Sequence, residues 1–215
     1  MARSAHPAAA APYPWRFSLD MGTPLRGGFD HASRLALVPP RYTTKGMFFT
    51  TVTRHLSAGE LAGLTPLLHS PPRPGRYLPF VDYPLRDLYL IAAEVARKLS
   101  PEAPPAEGLR HLSRRSLDVF GATLLGRVTL ELVAGQPAAA LELLPSMVMR
   151  MQRAGSMAAT RRGDAITLQV RDYPYWVEGG VYGVIESVIV YFGGTPRLEV
   201  NRLSDADADV VARWR

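Results

Sequence analysis

MAATRRGDAITLQVRDYPYWVEGGVYGVIESVIVYFGGTPRLEVNRLSDADADVVARWR, residues 157–215, is the stretch that decides how this chain folds. Ile166, Leu168 and Val170 alternate with Thr167, Gln169 and Arg171, the two-residue period of a strand with one face on a core and one in water. Arg162-Gly163-Asp164 supplies a turn before them, so residues 157–161 are predicted to be the first, weaker arm of a hairpin. From Trp176 to Phe192 the period changes: Val177, Val181, Val184, Ile185, Val188 and Phe192 recur at three- and four-residue steps and share one face of a helix. Gly193-Gly194 stops that helix, glycine being the usual residue where the backbone must turn left-handed. Leu198 and Val200, then Val210, Ala212 and Trp214, restore the alternation on either side of the acidic link 204–209, which makes a second hairpin. Trp214 on an apolar strand face predicts a docked chain end, because burying an indole is worth far more than wetting it.

Upstream, the helical period dominates. A short helix is predicted over 46–56, with Met47, Phe48 and Val52 inward, and Ser57-x-x-Glu60 is a capping-box signature ahead of Leu61, Leu64, Leu67 and Leu68. Ser70-Pro71-Pro72-Arg73-Pro74-Gly75 closes that pair. The stretch 84–99 carries Leu85, Leu88, Ile91, Ala92 and Val95 as one stripe, and 106–134 repeats the period with a bend expected around Gly121 and Gly126. A last helix of this group spans 137–153, with Pro145 as an expected kink. Residues 1–44, rich in Pro, Gly and Ala, read as an irregular extension, ordered where Trp15, Phe17 and Leu19 can dock. Residues 45–215 then read as a single α+β domain: an N-terminal helical bundle packed on a small antiparallel sheet, closing in the order hairpin, helix, hairpin.

Composition narrows the function classes. The net charge of +6 lies mainly at the front, since residues 1–45 carry five Arg and one Lys against Asp20 and Asp30. The remainder is nearly neutral, and 23 Arg beside only Lys45 and Lys98 looks like coding bias, so no nucleic-acid partner is expected. With no cysteine, disulfides, thiolate nucleophiles, zinc ribbons and iron–sulfur sites are excluded together. The longest apolar stretch, 177–192, is cut by Glu178 and Glu186 and is too short to span a bilayer, and the first dozen residues lack the apolar core of a secretion signal. A cytoplasmic protein is the expectation.

Few motifs point to chemistry. Asp205-x-Asp207-x-Asp209 resembles the opening of a calcium loop, but Val210 stands where glycine is needed, and a solvated hairpin link is the better account. His6, His31, His55, His69 and His111 have no second ligand at a helical or hairpin spacing, so no metal site and no cofactor are expected. Arg110, His111, Arg114 and Arg115 form a basic patch that reads as a solvated helix face, with Glu107 and Asp118 spaced to neutralise it. Gly179 and Gly183 suit close approach of another backbone. The densest unusual segment is RYLPFVDYPLRD, residues 76–87. It reads either as an ordered turn in which Asp82 accepts backbone N–H groups, or as the mouth of a pocket. The candidate ligand-binding residues are Tyr77, Phe80, Asp82, Tyr83, Arg86, Met149, Trp176 and Tyr182; no catalytic residue is proposed.

That segment, with KGMFFTTV (45–52), YWVEGGVYGVIES (175–187) and ADVVARWR (208–215), resembles a large paralogous family of proteins of roughly 200 residues, the size of one domain, largely restricted to myxobacteria. The family brings no established activity. More loosely, the order helices, hairpin, helix, hairpin resembles the ligand-binding fold shared by vinyl-reductase-type domains, haem nitric-oxide sensors and a vesicle-tethering subunit. That resemblance implies either a small or apolar ligand held between helices and sheet, or an assembly role. The chain departs from the haem branch in having no Tyr-x-Ser-x-Arg motif, and from the vinyl-reductase branch in having no cysteines.

Two functions follow as expectations. One is a non-enzymatic sensor or adaptor that binds a small apolar molecule between helices and sheet, aided by Met147, Met149, Met151 and Met157. The alternative is a protein-protein interaction module without ligand, a homodimer or assembly subunit that uses the glycine-bearing late helix. An enzyme built on Asp82 and Arg86 is a distant third, because a carboxylate beside an arginine is a poor proton shuttle near neutrality.

Overall fold

The computed structural model describes residues 14–25, 29–72, 76–121, 124–133 and 135–215. His6, Arg73 to Gly75 and Ala134, each used above, lie outside them, as do the side chains of Asp118, Leu124 and Leu132.

The two predicted hairpins are strands β5 (Ser156–Arg162) and β6 (Ala165–Arg171), and β7 (Pro196–Arg202) and β8 (Ala208–Trp214). Arg162 pairs with Ala165 across a two-residue turn in which Gly163 has φ +61°, a value that glycine adopts without strain. β6 and β8 pair antiparallel near the centre of a five-stranded sheet whose order is β1 (Trp15–Asp20), β7, β8, β6, β5. Ile166, Leu168, Val170, Leu198, Val210 and Ala212 have no exposed surface, whereas Gln169 and Glu199 on the opposite face are exposed. The chain end is docked as expected, with Trp214 packed against the core and Arg215 exchanging two backbone hydrogen bonds with Thr195.

The outer strand β1 (Trp15–Asp20) lies inside the stretch read from sequence as an irregular extension. Its six residues pair in register with β7, from Trp15 against Arg202 to Asp20 against Arg197, and Leu19 is buried. Six residues are too few for alternation to stand out among prolines and glycines. The docking residues had been singled out; the strand had not. A short helix α1 (His31–Ala36), capped by the Asp30 side chain on the Ala32 N–H, follows.

Helices α2 (Gly46–Thr53), α3 (Ala58–Leu64) and α4 (Leu85–Leu99) match the predicted segments. The Ser57–Glu60 capping box is formed in both directions. The long helix expected over 106–134 is instead α5 (Pro105–Arg114), α6 (Ser116–Gly121) and α7 (Leu124–Leu132), the first break falling at Arg115. α8 (Pro137–Met151) contains Pro145, and α9 (Gly180–Tyr191) is the late helix, ended by Gly193 at φ +81°. A second, three-stranded sheet of order β3-β2-β4 joins β2 (Thr43–Lys45), β3 (Asp82–Pro84) and β4 (Gln152–Arg153) at the entry points of α2 and α4. α9 is buried on nearly every side: Tyr182 of α9 meets Phe17 of β1 edge-on, while α5 runs along its other side.

α5 and α9 approach closely at glycine. A Cβ at Gly183 would overlap the Arg110 carbonyl oxygen, and one at Gly179 the Ala106 carbonyl oxygen. The close approach expected of these glycines is therefore met by this chain's own α5, which removes them as grounds for a homodimer.

A candidate apolar cavity among the helices

The basic patch of α5 is where sequence reading and structure part most sharply. Arg110 has no exposed surface; its Nε lies 3.0 Å from Glu186 Oε2 and its Nη2 also reaches Glu186. Nη1 donates to Glu107 at 3.1 Å and to the Thr23 carbonyl at 2.6 Å, and Nη2 donates to the Asp20 carbonyl at 2.6 Å. Arg114 meets the same Glu186 at 2.7 Å, and His111 meets Glu107 at 2.8 Å. This is an internal ion network tying α5 to α9 and to the segment after β1, and it corrects the expectation of a solvated face. Glu107 fell at the anticipated spacing; Glu186, 76 residues from Arg110, left no local signal.

Beyond that network the helices leave an apolar cavity of about 190 Å³. Phe48 and Val52 of α2, Leu88 and Tyr89 of α4, Leu112 of α5, Leu117 and Phe120 of α6, Met147 and Met151 of α8, and Val184 and Val188 of α9 line it. No residue of the five-stranded sheet does. The cavity expected between helices and sheet thus lies among the helices, with α9 separating it from the sheet.

Two of the residues that line it carry a buried polar atom without a partner. The Tyr89 hydroxyl is buried with no hydrogen-bond partner, and so is Gln152 Oε1. Burial raises the Tyr89 phenol well above its ordinary pKa, so it remains an O–H donor. At the rim, His55 accepts from Arg54 Nε at 3.3 Å, and burial, followed by the nearby Arg54, Arg115 and Lys98, pushes its pKa down. Tyr175 also lines the cavity and stacks on Tyr89, ring centroids 4.6 Å apart and 17° from parallel.

The eight candidate residues are not brought together. Trp176 lines the cavity. Arg86 lines a separate groove on the far side of α4, donating to the Leu67 carbonyl at 3.3 Å. Tyr77 and Tyr83 close an aromatic cluster with Phe49, at centroid distances of 4.3 and 5.4 Å from it. Phe80 is 84% exposed. Asp82 pairs with Lys45 at 2.7 Å; the carboxylate that receives backbone N–H groups here is Asp87, from His69 and Ser70. Asp82 and Arg86 thus have separate partners, Lys45 and the Leu67 carbonyl. Met149 is 39% exposed and accepts from the Tyr173 hydroxyl at 3.8 Å, while Tyr182, on the sheet side of α9, donates to the Val177 carbonyl at 2.8 Å. Sequence reasoning missed Tyr89 and Gln152. A phenol four residues from Leu85 on the apolar stripe of α4 was the available signal for Tyr89.

The acidic link is likewise occupied. Asp205 pairs with Arg34, Asp207 accepts from the Asp172 N–H and the Ser204 hydroxyl, and Asp209 pairs with Arg171 at 2.6 Å. Among the described residues no group of three His, Cys, Asp or Glu could hold a metal ion. No helix among them is long and apolar enough to cross a membrane.

Solved structures share this fold. The H-NOX protein from K. algicida, in its Fe(II) unliganded form, superposes with a TM-score of 0.60 at 10% identity, covering 80% of this chain and 96% of that one. The H-NOX protein from S. oneidensis in the Fe(II)NO state gives 0.62 at 12%, covering 80% and 99%. An oxygen-binding H-NOX domain related to soluble guanylate cyclases gives 0.57 at 15%, covering 79% and 92%. At such identities the likeness is one of fold. No curated protein matches the chain by sequence.

A haem does not fit the cavity found here. Its volume of about 190 Å³ is below the roughly 300–1,000 Å³ of cofactor-sized sites. The one histidine lining it, His55, is engaged by Arg54 at the rim. The chain has no cysteine to serve as a thiolate ligand in its place. Sequence comparison gives a different relationship: residues 37–215 match the family described as protein of unknown function DUF2378, and the chain belongs to that family.

Proposed function

We propose that this protein is a non-enzymatic, cytoplasmic sensor or adaptor domain that takes a small apolar molecule into the cavity among α2, α4, α5, α6, α8 and α9. The observation that carries the reading is the cavity itself, an apolar space among the helices in whose lining Tyr89 and Gln152 stand beside mostly apolar side chains. Close packing is the rule inside proteins, so an apolar space left among the helices suits a small, mostly apolar ligand. The scale is that of a single ring, since a cavity of roughly 150 Å³ elsewhere admits benzene. Met147 and Met151 add adaptable lining. α9 forms a wall of the cavity and also packs on strands β7 and β8, so a bound molecule touches an element that contacts the sheet.

The test is a thermal-shift series with toluene, indole and cyclohexane, repeated on Val184→Phe, which fills the cavity. A concentration-dependent rise in Tm for the native chain that Val184→Phe abolishes supports the reading. No rise with any probe, or an identical rise in Val184→Phe, removes it.

A ligand-free assembly role draws on another observation: Leu78, Pro79, Phe80 and Val81 form an exposed apolar tip. Sedimentation of native chain against Phe80→Ser tests it. A monomer at all concentrations in both removes a homodimer built on this tip.

A further inference from the structure

A second opening lies on the other side of α4, where α1, α3 and the start of α5 leave a groove of about 570 Å³. Leu35, Leu64, Leu90, Ala93 and Leu109 line its body, and Arg86 and His31 also line it. Its volume is within the usual range for small-molecule sites. The groove is distinct from the first cavity; among the described residues Leu109 and Tyr175 alone line both.

The charges around it are unevenly matched. Arg97 is paired with Glu94 within its own helix. Arg86 makes one bond to a carbonyl, and its nearest carboxylate, Asp87 at 3.9 Å, already accepts the His69 and Ser70 N–H groups. His31 Nδ1 lies 2.9 Å from the Tyr175 hydroxyl. Burial raises the Tyr175 phenol far above its ordinary pKa, so it stays protonated beside Nδ1. The imidazole itself is held below its ordinary pKa by burial and by Arg86, against the opposing pull of Asp30, so it stays neutral at pH 7. The groove is thus lined mainly by apolar side chains and offers the Arg86 guanidinium as a charged donor, with the His31 imidazole also in its lining.

We propose that this groove binds an aliphatic carboxylic acid of the fatty-acid type, its carboxylate on Arg86 and His31 and its chain along Leu35, Leu64 and Leu90. A guanidinium suits a carboxylate, and charge-assisted bonds of this kind are about twice as strong as neutral ones. An alcohol of the same length keeps the apolar contacts and loses the charge. The proposal stands apart from the ligand of the first cavity.

The experiment is calorimetric titration of the full chain with dodecanoate and with dodecanol. Dodecanoate is expected to bind about tenfold or more tightly than the alcohol, in line with a charge-assisted pair in a half-buried site. Arg86→Met brings the acid down to the level of the alcohol, and Ala93→Phe, which fills the groove, abolishes binding of both. Val184→Phe, in the first cavity, leaves both unchanged. Equal affinity for acid and alcohol, absence of binding, or loss through Val184→Phe instead of Ala93→Phe overturns the proposal. The acid–alcohol comparison uses the unaltered protein, so it decides the matter even if Arg86→Met does not fold.

Discussion

Arg110 and Glu186 face one another with no exposed surface on either side chain, and each has a further charged partner, Glu107 for the arginine and Arg114 for the carboxylate. Removing one member strands the others in an apolar interior. Glu186→Gln is expected to destabilise the fold by about 3–5 kcal/mol, measured by urea denaturation. The double change Arg110→Met with Glu186→Leu is expected to cost less than the two single changes added together. Strict additivity would mean that the pair is not coupled.

The contact between α5 and α9 is set by glycine. Gly183→Ala drives a methyl group into the Arg110 carbonyl and is expected to cost about 1–3 kcal/mol. Gly63, in α3, has open space around it, and Gly63→Ala is expected to raise stability by about 0.5–1 kcal/mol through the unfolded chain. Thermal melts of the two variants should move in opposite directions.

Tyr89→Phe is expected to stabilise the protein by about 1 kcal/mol, because it deletes a buried hydroxyl that has no partner. Binding of toluene in the first cavity should survive the change. A loss of stability would show that the hydroxyl is bonded in solution.

His31 and His55 have pKa values held below the ordinary 6.5, in each case first by burial. Asp30, Arg86 and Tyr175 face His31; Arg54, Arg115 and Lys98 act on His55. The unfolded chain therefore takes up protons first as pH falls. Stability should be full above about pH 6.5 and decline below it, and His31→Gln should flatten that slope. Glu60, drawn down to about 2 first by Lys98 and then by Ser57, acts in a lower window: its contribution is complete above the ordinary 4.5 and is lost toward pH 2. Denaturation midpoints measured from pH 3 to 8 separate the two windows.

The two hairpins and α9 were legible because their signals are local: alternation at Ile166, Leu168 and Val170, helical spacing from Val177 to Val188, and glycine at 193. The Ser57–Glu60 box was legible for the same reason. Arg110 was misread because charge on a helix normally marks a wet face, and nothing within a few turns announces Glu186. The cavity was illegible for a related cause. Leu88, Phe120, Val148 and Val184 all appear as apolar stripe residues, and whether such a residue meets a neighbour or a void depends on how helices far apart in sequence settle against one another. Phe80 shows the converse, an aromatic in a dense aromatic segment that points the eye to a pocket and stands in solvent.

The match to the family begins at residue 37, yet the guanidinium of Arg110 is completed by main-chain oxygens from residues 20 and 23, and Glu107 receives the N–H of Leu25 at 2.7 Å. A fragment trimmed to the family boundary would lose these three contacts and leave the guanidinium held by Glu186 and Glu107 alone. Expression trials that begin ahead of Trp15 keep the network whole.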